Sequence, residues 1–336
     1  MPKCGSSALQ TFLSSEAFLS FGADGVGYAA LESDGQIKSG EELVNAAEIS
    51  QFDYSASTEV EVFAKFDNDR ELAAARGLIS LLSEKDVVVL SCEGWGMRPQ
   101  FFSDNCLFSR LGCDVDIVLY TRPQIEWLNT AWWQWGAWAD VPFDFWVEHT
   151  KHEILWDVLA DKWTDKPWVN SVYVRVLSGD IVSDFMSLLG YSGIKGVNAN
   201  KSLSNSILRL FQRNRSLRKG PHDSKIDFAL ARNLDVITGK VPFVIERHLV
   251  SRLVDYYRES NERLASMLSD EQRQVMLNDN RWWSGGSYDN RKVCNPGPEV
   301  MSMSELEDLA VAALKAIVRL DAENRCLRHL ASKKGS

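Results

Sequence analysis

Short β-branched apolar runs, each separated from the next by a stretch with helical spacing, constrain this chain more than any other feature. Val87-Val88-Val89-Leu90 is apolar without interruption, the pattern of a strand buried on both faces. Val115 to Tyr120 repeats the pattern and ends at Thr121-Arg122-Pro123. From Trp168 to Val176, Val169, Ser171, Tyr173 and Arg175 alternate with Asn170, Val172, Val174 and Val176, so a third strand is expected there. Arg70 to Ser83 is rich in alanine and leucine and predicts a helix, and a long tryptophan-rich helix is expected from Ile125 to Trp138. Residues 22 to 62 carry only short strands, and 249 to 277 are helical in pattern. Strands alternating with helices predict an α/β fold with a mostly parallel central sheet flanked by helices.

Composition narrows the function. The formal net charge of −9 excludes a general nucleic-acid binder, which would carry a basic face. No apolar run approaches the ~18 residues of a membrane span, and Met1-Pro2-Lys3-Cys4-Gly5 lacks the basic and apolar regions of a signal peptide, which points to the cytoplasm. The six cysteines, Cys4, Cys92, Cys106, Cys113, Cys294 and Cys326, form no CxxC pair and no zinc-ligand spacing. They read as reduced thiols, with a Cys106–Cys113 disulfide as the minor alternative. No metal site is signalled.

No repeat or low-complexity linker interrupts residues 1–336, so a single domain is expected, with 191–245 as a helical lid or insert and 301–330 as a C-terminal helix. Lys195 to Asp223 holds Arg209, Arg213, Arg215, Arg218 and Lys219. This basic stretch is either a solvated helical face or a lid whose cations meet an anion. Ser302-x-x-Glu305 has the form of a capping box. Leu306, Leu309, Ala310, Ala313, Leu314 and Ile317 then make an apolar stripe, expected to dock on the parent domain.

The chemistry concentrates at Pro2-Lys3-Cys4-Gly5-Ser6-Ser7-Ala8-Leu9-Gln10. A glycine turn running into a helix aims backbone N–H groups and the helix dipole at one point, a site for a phosphate-type anion. Lys3 adds charge, and Ser6 and Ser7 add hydroxyl donors. The lysine precedes the glycine, so this is not the GxxxxGK[ST] pattern.

The order Pro-Lys-x-Gly-[Ser/Thr]-[Ser/Thr]-x-Leu resembles the phosphosulfate-binding loop of sulfotransferases that use 3′-phosphoadenosine 5′-phosphosulfate. A second signature of that family, a strand ending in Arg with a Ser eight positions later, is matched by Arg122 and Thr130, with Thr keeping the hydroxyl. The chain is most similar to the bacterial, glycan-modifying branch. Val88-Val89-Leu90-Ser91-Cys92-Glu93 resembles its strand ending in Leu-Ser-Ser-Glu. Arg122-Pro123-Gln124-Ile125-Glu126-Trp127-Leu128 resembles its Arg-Pro-Gln-x-x-Trp-Leu stretch, and Tyr257 to Leu264 its Tyr-x-x-Ser-Asn-x-x-Leu helix. The resemblance implies a three-layer P-loop-type fold and a sulfuryl donor held by Lys3, Gly5, Ser6, Ser7 and Ala8, with Arg122 and Thr130 on the 3′-phosphate. It implies transfer to a hydroxyl or amine, the acceptor being a glycan or polysaccharide, with no metal in the scheme.

Lys3 and Glu93 are the expected catalytic residues. Glu93 ends a predicted parallel strand, where open α/β sheets bind ligands, and is either the general base or an ion-pair partner of the loop. His149 and His152 are the runner-up bases. Trp127, Trp132, Trp133, Trp135 and Trp138 read as core packing, and Trp282 and Trp283 as an exposed acceptor platform. Two other readings stand beside this one: a catalytically inactive glycan-binding relative, and another P-loop nucleotide enzyme such as a small-molecule kinase. The resemblance also implies a strand before the loop, whereas this sequence opens on the loop itself. The expectation is therefore a start further upstream, with two strands otherwise left lacking a neighbour, donor binding weakened, and buried orphan groups costing ~1–3 kcal/mol each.

Overall fold

A computed structural model describes residues 1–21, 25–196, 203–221, 223, 225–234 and 241–334. Parts of the expected lid, 197–202, 222, 224 and 235–240, lie outside the described residues. The fold is mixed α/β and 58% helix. Helices α1 (Ser6–Leu13) and α2 (Glu16–Phe21) precede strands β1 (Val26–Leu31) and β2 (Ile37–Ser39). Then come α3 (Gly40–Ile49), α4 (Val60–Phe63), α5 (Asn68–Leu82), β3 (Val87–Leu90) and β4 (Asp116–Thr121). Helices α6 (Gln124–Gln134), α7 (Phe143–Thr150) and α8 (Trp156–Thr164) lead to β5 (Ser171–Val176) and α9 (Ile181–Leu188). The rest is helical: α10 (Asn205–Arg213), α11 (Lys225–Asn233), α12 (Arg247–Met267), α13 (Asp270–Asn278) and α14 (Met303–Lys334).

Side-chain caps set several of these boundaries. Asp67, Asp180 and Ser269 accept from Arg70 N, Val182 N and Gln272 N at the starts of α5, α9 and α13, the role for which short oxygen-bearing side chains are favoured. The capping box before α14 forms as read: Ser302 N donates to Glu305 Oε2 at 2.8 Å, and Glu305 N to Ser302 Oγ at 3.2 Å.

The predicted strands form, and two of their pairings are parallel. Val26 to Ala29 runs parallel to Val87 to Leu90, and Asp116 to Thr121 runs parallel to Ser171 to Val176; β2 joins β1 antiparallel. The single central sheet is replaced by two small ones among the described residues, β2-β1-β3 and β4-β5. This also corrects the expectation for β3. It pairs with β1 on one side only, so Val87 stays 40% exposed and its other residues are half-buried. Central β1, paired on both sides, is the strand whose side chains are almost all buried. The tryptophan helix is also shorter than predicted. It ends at Gln134, where Trp135 (φ −125°, ψ −55°) leaves helical geometry and a separate 3₁₀ turn carries Gly136–Trp138.

The described residues pack as two compact units. The first comprises 1–129, 144–200 and 245–291, and holds both sheets; the second comprises 130–143, 201–244 and 292–336. In the first unit, Phe63, Trp95, Phe102, Phe108, Trp163 and Trp168 form a continuous aromatic cluster, with Phe102 and Trp163 centroids 5.0 Å apart. In the second, Trp133 and Trp138 are buried together with Ile207, Leu208 and Phe211 of α10. No described helix is long and apolar enough to cross a membrane.

Candidate functional site

The loop before α1 adopts the conformation its glycine allows. Gly5, at the N-cap, has φ 90° and Lys3 has φ 60°, both left-handed. A Cβ on Gly5 would also lie 2.9 Å from Ile181 Cδ1 on α9, so that side chain would have to shift, and the positive φ makes any other residue strained. No side chain caps α1. Its chain closes with Ala8 N and Leu9 N donating to Gly5 O at 3.0 and 3.2 Å. The N–H groups of the first turn are those that an α-helix leaves to a cap, water or ligand.

Four stretches that are far apart in sequence converge on this loop. Ser6 Oγ donates to Glu93 Oε2 at 2.6 Å, and Gln10 Nε2 to Ser91 Oγ at 3.1 Å, tying α1 to the segment after β3. Arg122 Nη1 donates to Lys3 O at 2.9 Å, and Trp127 Nε1 to Pro2 O at 2.8 Å, tying the loop to the start of α6. Gln124 Nε2 donates to Asn261 Oδ1 at 2.6 Å, and Asn261 Nδ2 to Trp282 O at 3.1 Å, bringing in α12. Tyr257, Ser260, Asn261 and Leu264, which carry the α12 pattern, are all buried. Trp156 Nε1 donates to Arg122 O at 2.9 Å and fixes the backbone of that arginine.

Charges around the loop are paired. The Arg122 side chain is 21% exposed and lies 3.7 Å from Glu126 Oε2, while Arg291 pairs with the other oxygen of Glu126. Sequence reasoning missed Glu126 and Arg291. Arg291 lies in a loop 165 positions after Glu126, and no local pattern joins the two. Thr130 is half-buried on α6, in the stretch of that helix belonging to the second unit. Glu126 is the α6 residue that pairs with Arg122.

The loop's remaining groups stay protonated at neutral pH. Burial pushes the Cys4 thiol up to about 11, against the pull of the N-terminus, Arg122 and Lys3. Burial, then Glu93, pushes the Tyr54 phenol up to about 12 against a hydrogen bond from Ser7, and burial followed by Glu59 takes Cys92 to about 12. None of these is a nucleophile at neutral pH. All six cysteines are free thiols, Cys106 buried and Cys113 exposed.

The other sequence candidates fall elsewhere. Exposed His149 bonds through Nδ1 with Phe145 O at 2.8 Å, and exposed His152 with the Tyr256 hydroxyl at 2.7 Å. His152 lines an open hollow of about 630 Å³, together with Arg98, Glu153, Lys162 and Lys166; no residue of the anion loop lines it. Trp127, Trp132, Trp133 and Trp138 are buried, as their core reading requires, while Trp135 is half-buried. The acceptor platform is corrected. Trp282 is 1% exposed, and Trp283 Nε1 is spent on Met276 O at 3.0 Å, because the loop folds its rings inward against α12 and α13.

Within the basic stretch Arg213 and Lys219 are exposed, as a solvated face requires, whereas Arg209, Arg215 and Arg218 are tied into the fold. Arg209 donates to the carbonyls of Asn295 and Gly297 and lies over the Trp133 ring at 5.0 Å. Arg218 pairs with Asp227, donates to Gln134 O at 2.7 Å and lies 4.5 Å from the Trp138 centroid. Arg215 reaches Ala137 O and Trp138 O, both at 3.0 Å. Among the described residues no group of three or more His, Cys, Asp or Glu side chains is placed to hold a metal. Comparison with known protein families, curated proteins and solved structures finds no match.

Proposed function

We propose that this protein binds 3′-phosphoadenosine 5′-phosphosulfate and transfers its sulfuryl group to an acceptor hydroxyl or amine, of glycan class, on a P-loop-type fold. One observation carries the reading: the four stretches that resemble sulfotransferase motifs are hydrogen-bonded into a single cluster around a glycine-turned, uncapped helix start. Nothing in the local sequence demands that Gln124 meet Asn261, or that Ser6 meet Glu93.

The chain's own groups divide the work. The N–H groups at Gly5, Ser6 and Ser7, with Lys3, hold the 5′-phosphosulfate and stabilise charge on the leaving phosphate oxygen. Arg122 takes the 3′-phosphate, exchanging its longer contact with Glu126 for a charge-assisted bidentate one. As the acceptor oxygen bonds to sulfur and the sulfur–phosphate oxygen bond breaks, Glu93 takes the acceptor proton. A carboxylate offers about four lone-pair sites, so Glu93 can keep the Ser6 hydrogen bond while doing so. The alternative of an inactive glycan binder has less aromatic surface to draw on than expected, because Trp282 is buried and Trp283 half-buried.

Calorimetry with adenosine 3′,5′-bisphosphate tests the donor site. Saturable binding is expected, and absence of binding by the folded chain overturns the reading. Glu93→Gln preserves an oxygen for Ser6 and removes the base. Sulfuryl transfer should then fall by about 10²–10⁴-fold with bisphosphate affinity unchanged, and full activity in that variant would remove Glu93 from the chemistry.

A further inference from the structure

The apolar stripe of α14 does not dock where its pattern led us to expect. The helix is 32 residues long, and only one side of its first half is covered. Ala316 is buried, Leu309 and Ala312 are half-buried, Glu305 accepts from Ser206 Oγ at 2.7 Å, and Arg319 donates to Asn233 O at 3.1 Å. Beside that face runs a row at alternating spacings of three and four, exposed at every position but the half-buried Ala313: Met303, Leu306, Ala310, Ala313, Ile317, Leu320, Asn324, Leu327 and Ala331. Ile317 is 61% and Leu327 62% exposed, and every described side chain from Ile317 to Lys333 is exposed. A solvent-bathed helical segment of that length is marginal by itself in water.

We infer that α14 pairs with α14 of a second copy of this chain as a parallel, in-register, two-stranded coiled coil. Assigning Met303, Ala310, Ile317, Asn324 and Ala331 to heptad position a puts Leu306, Ala313, Leu320 and Leu327 at d. The polar residue in the row, Asn324, then falls at an a position, where a buried asparagine specifies a register and a dimer. The same register puts Glu323 at g and Arg328 at the following e, so each copy's Glu323 faces the other's Arg328; Leu309 at g faces Leu314 at e. A second apolar row, Val311, Leu314 and Val318, cannot replace this seam, because it continues into Asp321 and Arg325. The charge match, the polar a residue and the uncovered second half together select a second copy as the occupant.

Sedimentation equilibrium of the full chain at micromolar concentration should give a dimer. Leu320→Glu with Leu327→Glu should raise the dimer dissociation constant on the order of 100-fold or more, with the far-UV circular dichroism of the two folded units kept. Glu323→Arg should weaken the dimer, and adding Arg328→Glu should restore it. In a Cys326→Ser background, Leu327→Cys should form an interchain disulfide, as only a parallel in-register pair allows. A monomeric parent chain, a dimer untouched by the double glutamate variant, or failure of the charge swap to restore the dimer would each overturn the inference.

Discussion

Arg122 in the first unit and Arg209 and Arg218 in the second are all tied to backbone carbonyls, yet they are used differently. Arg122 keeps 21% of its side chain exposed, and its contact with Glu126 is a long one at 3.7 Å. Arg209 and Arg218 are buried, lie over tryptophan rings, and direct their guanidinium nitrogens to carbonyls and acids of their own unit. Burial lowers the affinity of both for their proton, with Glu299 and Asp227 opposing. A cation already satisfied by the main chain holds a fold together; one with donors to spare can exchange partners for a ligand. Density of positive charge in sequence therefore misleads: Arg209 and Arg218 of the arginine-rich stretch are structural, and the proposed anion site draws on Arg122 and Lys3, which lie outside that stretch of sequence.

The sharpest way to break this contrast is Arg218→Ala. It removes a buried cation that pairs with Asp227 and donates to the Gln134 carbonyl, and breaking such a pair costs about 3–5 kcal/mol. Urea denaturation should show that loss, while bisphosphate affinity, measured where the variant is still folded, should stay within a few-fold. Lost bisphosphate binding with stability intact would invert the assignment of the two clusters.

Arg122→Ala is the converse and the next largest effect. Charge-assisted hydrogen bonds contribute about 1.5–3 kcal/mol each, so calorimetry should show bisphosphate affinity falling by ~10- to 150-fold. Folding stability should change little, because Glu126 keeps Arg291. Arg122→Lys should recover only part of the affinity, since an ammonium lacks the planar fork. Wild-type affinity in both variants would remove Arg122 from the donor site.

What could be read from sequence depended on whether the deciding interaction was local. Val87–Leu90 announces a strand by β-branching, and Ser302-x-x-Glu305 announces a helix start because both partners of the box lie within one turn. The glycine loop is legible for the same reason, down to the left-handed Gly5. The exposure of β3 was not legible, because it depends on how many neighbours a strand finds. Arg209 looks like a solvated base until the 295–297 carbonyls arrive from 86 to 88 positions away. Trp282 looks like an exposed platform until α12 and α13 pack over it. Long-range satisfaction of polar groups is what sequence periodicity leaves out.

The smallest effect distinguishes the units by pH. Cys4 and Cys92 have folded pKa values raised by burial from 9.0 to about 11 and about 12, and both belong to the first unit. Below about pH 9 the thiols are protonated in folded and unfolded chains alike and contribute no pH dependence. Between 9 and 11 the unfolded chain releases protons that the folded chain retains, so stability falls as pH rises. At pH 10 the penalty is about 1 kcal/mol per thiol. Arg209 and Arg218 remain charged throughout this range, so the arginine cluster of the second unit has no matching loss. Hydrogen exchange at pH 8 and 10, corrected for intrinsic rates, should show protection weakening in β1, β3 and α1 more than in α10. Cys4→Ala should remove one thiol's share of that pH dependence, leaving that of Cys92, without touching α10. Equal weakening of both regions would mean that the alkaline response comes from groups outside the loop, and that the burial of Cys4 does not set it.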